Sequence, residues 1–233
     1  VLLSAFTTKL AIYALARGYA GTDILVPIGL VMAVFPIFYA LVENDLRRVL
    51  AYSLIHQLAF MVVGVGIGTH LALHGAVAHA IASVLYKALL LMAMGAVLLR
   101  TGTAKASELG GLSRSMPLTA AFCIVGAACI SSVPLFSGFV TKSLTLSAAM
   151  GKEMQWVWLV LLAASAGAIL HSGLRVPIAA FYGRDAGKRC EEAPPPMLIG
   201  MAVTAALSVG IGLYPAAIYA ILPFKVDYAP YTV

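Results

Sequence analysis

Three lysines lie inside apolar stretches that are long enough to form membrane-spanning helices. They are Lys9, Lys87 and Lys142, and their neighbours offer no polar helix side that could face water. An ammonium group at the centre of a bilayer costs about 2.5–3.5 kcal/mol on insertion scales. Because ionisable residues at this depth usually serve a function, we interpret the three lysines as groups that work inside the membrane.

His79, Ser83 and Lys87 recur at intervals of four residues. This spacing places them on one helix face over about 12 Å of axial rise. Histidine titrates near neutral pH and burial penalises the charged form of an amine, so His79 and Lys87 could pass a proton along, with water between them. The alternative is that Lys87 extends its amine to the membrane interface.

Further polar side chains could extend this line. His56 and Gln57 lie in the run AYSLIHQLAF, where a hydrogen bond between helices is an equally good interpretation. We assign them, with Ser83 and Tyr86, to a secondary proton path. Hydroxyl residues flank Lys9 and Lys142: Ser4, Thr7, Thr8 and Tyr13 for the first, Ser137, Thr141 and Ser143 for the second. His171 is isolated, and we interpret it as structural.

The composition identifies the class of protein. The chain is 62% hydrophobic and 10% charged, against about 25% charged residues in soluble domains. The net charge of +6 does not indicate nucleic-acid binding, because the basic residues mostly lie between apolar runs, as topology signals do. Cys123, Cys129 and Cys190 form no metal-binding pattern, and no cofactor motif is visible. The sequence predicts an integral membrane protein without a metal or cofactor.

Seven apolar runs predict an all-α bundle of transmembrane helices. They fall near residues 1–17, 23–42, 49–67, 71–99, 118–150, 155–183 and 196–222. The fifth run is too long for one straight crossing and contains Pro134 and Gly138, which predicts a broken helix just before Lys142. An ordinary proline kink is the alternative. The chain begins inside an apolar run without Met, so we expect it to be a piece of a longer protein.

The charges between the runs predict the orientation. One side receives Arg47, Arg48, Arg100, Lys105, Arg114, Arg184, Lys188 and Arg189, and the other receives Arg17, Lys152 and Lys225. The positive-inside rule makes the first side cytoplasmic. The start of the chain is then expected inside, and its C-terminus outside, in a bacterial inner membrane.

Several segments together resemble the antiporter-like membrane proteins. This family includes the D-type subunit of multisubunit Na⁺/H⁺ (Mrp) antiporters and the proton-pumping membrane subunits of respiratory complex I, NADH:quinone oxidoreductase. The resemblance rests on NDLRRVLAYS at 44–53, on His79 to Lys87 followed by ALL, on ELGGL at 108–112 followed by Met116-Pro117, and on PLFSGF at 134–139.

The resemblance implies a fold and roles for the residues. Relatives have fourteen helices with two inverted repeats, so residues 1–17 would be a connecting helix, 23–183 the second repeat and 196–222 the final helix. Lys9 would connect two half-channels, His79 and Lys87 would be the centre of the second, and Lys142 its terminal lysine. Many relatives carry a histidine where this chain has Ser83.

The function that follows is proton translocation along Lys9, His79, Lys87 and Lys142, with other membrane subunits as partners and Na⁺ or K⁺ as the exchanged ion. We favour a D-type antiporter subunit over a complex I subunit, because ENDLRRVLAYSLIHQLAF and the closing YPAAIYAILPFKVDYAPY look more like the D type. A membrane scaffold whose lysines pair with partner acids is the alternative from another class. A stand-alone enzyme has no visible nucleophile–base pair to support it.

Overall fold

The computed structural model describes residues 3–222 and 226–231, and the elements within these ranges are helices. Lys225, assigned above to the outer side, lies outside the described residues. The α-helices are α1 Thr8–Gly18, α2 Leu25–Val42, α3 Leu46–Ile67, α4 His70–Thr101, α5 Pro117–Ile130, α6 Ser137–Gly151, α7 Gln155–Ala168, α8 Arg175–Pro177, α9 Pro195–Leu213 and α10 Ala216–Tyr219. A π-helical turn, Leu3–Thr7, precedes α1.

The predicted all-α transmembrane bundle is confirmed. Five helical segments of 18 residues or more are apolar enough to cross a membrane: Leu25–Val42, Leu46–Ile67, His70–Thr101, Gln155–Tyr182 and Pro195–Leu213. Two of these start at side-chain caps. Asp45 accepts from Arg47 N at the start of α3, and Thr69 Oγ1 accepts from Ala72 N at the start of α4.

The fifth predicted span is a broken helix. Residues 131–136 separate α5 from α6, and Pro134 lies between two residues with positive φ, Ser132 at 58° and Leu135 at 72°. Gly138 is the second residue of α6, where a Cβ atom would overlap Cys129 O. Because glycine has no Cβ, the start of α6 can pack directly on the end of α5.

The sixth predicted span changes its helical winding near the middle. After α7 the chain forms π-helical segments at Ile169–Leu174 and Ile178–Tyr182, with α8 between them. Arg175 in α8 is a charge that the apolar pattern does not explain. Its guanidinium donates to Ala40 O at 2.6 Å and to Leu41 O at 2.7 Å. It therefore satisfies carbonyl groups that the end of α2 leaves without intrahelical donors.

The last predicted span, 196–222, is not one continuous helix. Helix α9 ends at Leu213, and the four-residue helix α10 follows. Pro215 lies between them and has no backbone N–H to donate to the helix ladder. The sequence stays apolar across this interruption, so the hydropathy pattern predicted one span where the structure has α9 and α10.

Helix α4 lies at the centre of the bundle and packs against α3, α5, α6 and α9. Its approach to α6 is close at Gly75, where a Cβ would lie 2.6 Å from Thr145 Oγ1. The outward faces of the helices carry large apolar side chains, among them Phe35, Phe38 and Leu207, as a lipid-facing surface requires. The interior between α3, α4 and α6 therefore holds the buried polar residues.

The loops rich in basic residues come together at one end of the bundle. Asp45 pairs through its backbone with Lys105, and the backbone of Gly111 lies against Asp185. Hydrogen bonds from Arg189 hold the pKa of the exposed Asp185 carboxyl at about 2. Three of the predicted charged loops thus meet in space, and Glu43, Glu108 and Asp185 in them pair with basic residues.

Candidate functional site

Lys87 is buried near the middle of α4, with 1% of its surface exposed. Its amine donates to Ser53 Oγ at 2.5 Å and to Leu50 O at 3.3 Å, both on α3. No carboxylate is within salt-bridge distance of Lys87 in the described part of the chain. An amine held by neutral oxygens alone can lose its proton without leaving an anion behind.

A cavity of about 330 Å³ reaches Lys87 from the end of the bundle where the basic loops meet. Asp45, Arg47 and Arg48 line its outer part, and Ala51 and Lys87 lie among its other lining residues. Because the lining includes three charged residues of the α3 start, the cavity suits water better than lipid. It offers water a route to the amine.

His79 lies two turns before Lys87 on α4 and is fully buried. Its Nε2 is 3.0 Å from Gln57 Oε1 on α3, and its Nδ1 is 2.8 Å from Thr141 Oγ1 on α6. Tyr86 OH donates to the same Gln57 oxygen at 3.2 Å. His79 therefore joins the helix that holds Lys87 to the one that holds Lys142.

Lys142 is buried at the helix break, with 2% of its surface exposed. Its amine donates to Ile130 O, the last residue of α5, at 3.0 Å and to Ser165 Oγ at 3.3 Å. It also lies 5.1 Å from the centroid of the Phe60 ring. The carbonyl end of a helix and an aromatic face both favour a cation, so this position stabilises the protonated amine.

A second cavity, of about 280 Å³, opens at Lys142. The hydroxyl residues that line it are Ser131, Ser132, Ser143 and Ser165. Hydroxyl groups both donate and accept, so they can order water whether the amine is charged or neutral. Lys87 and Lys142 thus each border a cavity, and the fully buried His79 bonds to both α3 and α6, the helices that contact or carry these lysines.

The remaining predicted residues, Ser83, His56 and Lys9, make no hydrogen bond to Lys87, His79 or Lys142 among the described residues. Ser83 is buried, but its hydroxyl donates to Ala80 O of its own helix at 2.9 Å. His56 Nδ1 donates to Ala33 O on α2 at 2.7 Å. Lys9 is half-buried, with its amine 3.4 Å from Thr8 Oγ1, and no hydrogen bond among the described residues joins it to Lys87 or His79.

Sequence reasoning missed three residues of the site. Ser53 lies one turn before Gln57 on α3, and this spacing could have identified it. The Phe60 ring lies near the Lys142 amine, and its centroid is 5.5 Å from that of His56 and 5.9 Å from that of His79. These contacts join different helices, so no local sequence pattern indicates them. His171, interpreted as structural, lies 5.8 Å from His56 between ring centroids. It belongs to a π-helical segment, a feature common at functional sites.

The site is chemically a set of three buried bases, Lys87, His79 and Lys142, each hydrogen-bonded to neutral groups. In the described ranges, no group of three His, Cys, Asp or Glu residues is arranged to hold a metal ion. Protonation of one buried base raises the electrostatic cost of protonating the next. Such an arrangement can move a proton in steps, each step depending on the charge of the neighbouring group.

The chain is similar in sequence and fold to known proteins. The sequence profile of the family described as "NADH:quinone oxidoreductase/Mrp antiporter, TM" matches residues 1–169. Hydrogenase-4 component B of Escherichia coli (strain K12) is 30% identical over 213 aligned residues, which cover 82% of this chain and 32% of that protein. The D-type subunit of the Na(+)/H(+) antiporter of Alkalihalophilus pseudofirmus is 33% identical over 201 aligned residues, covering 82% of this chain and 40% of that protein.

A solved structure shares the fold. One chain of the membrane-bound sulfane sulfur reductase, an archaeal respiratory membrane complex, superposes with a TM-score of 0.88 at 24% identity, covering 97% of this chain and 41% of that chain. The present chain therefore spans less than half the length of these three proteins.

Proposed function

Because this chain belongs to the NADH:quinone oxidoreductase/Mrp antiporter transmembrane family, we propose that it is part of a proton-translocating membrane subunit. We assign it to the D type of a multisubunit monovalent cation/H⁺ antiporter. The Alkalihalophilus pseudofirmus relative, at 33% identity, is named as this type of Na(+)/H(+) antiporter subunit, which supports the assignment. Other membrane subunits would be its partners, and Na⁺ or K⁺ the ion exchanged.

The observation that carries the proposal is the buried line from Lys87 to Lys142. Lys87 and Ser53, then Gln57 and His79, then Thr141 and Lys142 follow one another across α3, α4 and α6. Ser53 and Gln57 are one turn apart on α3, so their side chains lie on the same helix face. Along this line only Lys87, His79 and Lys142 are bases that can hold a proton, and the amide and hydroxyl groups between them position these bases.

The charges along the line couple its protonation steps to one another. A proton on Lys87 disfavours a proton on His79 or Lys142, and the reverse also holds. An added positive charge near one end, such as a cation or the charged side chain of a partner, would therefore drive proton release at the other. This coupling needs no covalent chemistry.

The division of the chain follows from the same family. We propose that residues 23–183 form the second inverted repeat and contain the broken helix, that 1–17 form the connecting helix with Lys9, and that 196–222 close the domain. Because the chain spans less than half of its relatives, Lys9 would be covered by residues of the other half. Its partial exposure is consistent with this role.

We further propose that the basic loops face the cytoplasm of a bacterial cell. The cavity that leads from Asp45 to Lys87 would then open to the cytoplasm. The positive-inside rule and the meeting of these loops support this orientation. An impermeant maleimide added to intact cells should label Lys152→Cys and not Lys105→Cys, in a background with Cys190→Ser. Labelling of Lys105→Cys from outside would reverse the assignment.

A complex I subunit is the second candidate, because the family description includes NADH:quinone oxidoreductase. The two can be separated with the full-length protein purified together with its partners and placed in liposomes. An antiporter subunit should move protons when a Na⁺ or K⁺ gradient is applied, and Lys142→Met should abolish this movement without loss of assembly. Proton movement driven only by NADH and quinone would favour complex I.

The scaffold alternative has its own signature in the same preparation. If the buried lysines serve to pair with acidic residues of partner subunits, Lys142→Met should release those subunits. Retention of all partners together with loss of proton movement would exclude the scaffold.

A further inference from the structure

Thr141 has a hydroxyl group with one proton and three possible acceptors. His79 Nδ1 lies 2.8 Å from Thr141 Oγ1, Ser137 O lies 3.1 Å from it, and Gly138 O lies 3.4 Å from it. The hydroxyl cannot donate to the histidine on α4 and to a carbonyl of its own helix at the same time. Its direction must therefore depend on what His79 requires.

The other side of the His79 ring fixes this requirement. Gln57 Oε1 is a carbonyl oxygen, so it can only accept, and His79 Nε2 must carry a hydrogen to bond it at 3.0 Å. In neutral His79 the Nδ1 atom is then a bare acceptor, and Thr141 must donate to it. When His79 holds a second proton, Nδ1–H becomes the donor, and the Thr141 proton must turn to Ser137 O or Gly138 O.

We propose that Thr141 is a positioning residue that couples the charge of His79 to the start of helix α6. His79 gains or loses one proton, whereas Thr141 keeps one proton throughout and only changes its acceptor. This inference rests on the proposed proton path and adds to it a link between α4, which carries His79, and α6, which carries Lys142.

The consequence for α6 is local. Ser137 and Gly138 form its first turn, directly after the helix break, and Lys142 is the residue after Thr141. A threonine hydroxyl that donates to the carbonyl four residues earlier tends to bend a helix. Charging His79 would thus change the turn that carries Lys142, at the place where Gly138 packs on the end of α5.

The groups around His79 make its charge responsive to the rest of the path. The titratable groups that act on it are Lys142 on α6, Lys9 on α1, His56 on α3 and Lys87 on its own helix. Tyr86 OH lies 3.4 Å from His79 Nε2. The three lysines and His56 are all bases, so a proton on any of them disfavours a second proton on His79.

The test uses the full-length protein in its complex and measures the initial rate of proton transport against pH. Thr141→Val keeps the shape of the side chain and removes the hydroxyl, and Thr141→Ser keeps the hydroxyl. Thr145→Val is the matched control, since Thr145 is buried one turn later on α6 and its hydroxyl has no hydrogen-bond partner among the described residues.

We expect Thr141→Val to lower the rate by about tenfold, the effect of losing one hydrogen bond to a charged group, and to shift the pH profile. Thr141→Ser should stay within about threefold of the wild type and keep its profile, and Thr145→Val should leave both unchanged. If Thr141→Val fails to assemble, Thr141→Cys, with its weakly bonding thiol, should show the same shift.

A normal rate and pH profile in assembled Thr141→Val, or in Thr141→Cys where it replaces Thr141→Val, would overturn the inference, as would equal loss in Thr141→Ser and Thr141→Val. The failure of the proton path itself would look different. In that case Lys87→Met would also transport protons at the normal rate. If Lys87→Met loses transport while Thr141→Val keeps a normal rate and pH profile, the Thr141 link alone is refuted.

Discussion

At the residue scale, the stability of the protonated Lys87 amine depends on its hydrogen bond to Ser53. The hydroxyl of Ser53 is the nearer of the two hydrogen-bond acceptors of the amine, and both groups are buried. A hydrogen bond to a charged group contributes about 1.5–3 kcal/mol, more than one between neutral groups. Ser83 is equally buried and lies one turn from Lys87, but its hydroxyl bonds its own helix. The two serines therefore form a natural pair for comparison.

We predict that Ser53→Ala destabilises the folded protein by about 2 kcal/mol, because the buried ammonium loses an acceptor. Ser83→Ala should change the free energy of unfolding by about 0.5 kcal/mol or less, since only an intrahelical bond is lost. Unfolding in mixed detergent micelles measures both. Equal costs for Ser83→Ala and Ser53→Ala would contradict the account in which Ser53, and not Ser83, supports the lysine.

The residue types of the site were predictable, and their partners were not. Lys87, Lys142 and His79 stand out in the sequence because charges and imidazoles are costly in apolar helices. Ser53 and Phe60 do not, because serine and phenylalanine are common in membrane helices, and Thr141 stands out only as a hydroxyl neighbour of Lys142. Their importance comes from contacts between α3, α4 and α6, residues far apart in the chain.

At the scale of elements, the broken helix α5–α6 holds Lys142 in place. The break was predictable from Pro134, since proline cannot donate to the helix ladder. The π-helical turns around Arg175 were not, because hydropathy does not record how a helix winds. Nor was the role of Arg175 itself, which serves the end of α2 from a distant part of the chain.

We predict that Gly138→Ala disturbs the break, because the added Cβ would overlap Cys129 O. Forcing α6 away from α5 should cost about 1–3 kcal/mol, typical of overpacking, and should reduce proton transport by moving Lys142 off Ile130 O. The control is Gly151→Ala at the other end of α6, where no atom of the described residues lies within 4 Å of the added Cβ. Equal behaviour of the two variants would contradict the packing account.

At the scale of the whole molecule, two cavities lie on either side of a buried centre where His79 bonds to Gln57 and Thr141. One cavity borders Lys87 and begins among the charged residues at the start of α3, and the other borders Lys142 beside the serines of the break. Hydropathy predicted the apolar segments, although 196–222 is not one helix, and the loop charges predicted which loops lie at the same end of the bundle. Cavities arise from how whole helices pack, so no local pattern of the sequence could have predicted them.

The central claim is that protons cross this centre through Lys87, and the most direct measurement is proton flux in liposomes that contain the complete complex. Lys87→Met keeps the length of the side chain and removes the titratable amine. The control is Lys105→Met, whose amine pairs with Glu108 in an exposed loop. We predict that Lys87→Met assembles fully and loses at least about 99% of the flux, as expected when a proton-transfer group is removed, whereas Lys105→Met keeps it. Undiminished flux in Lys87→Met would contradict the account.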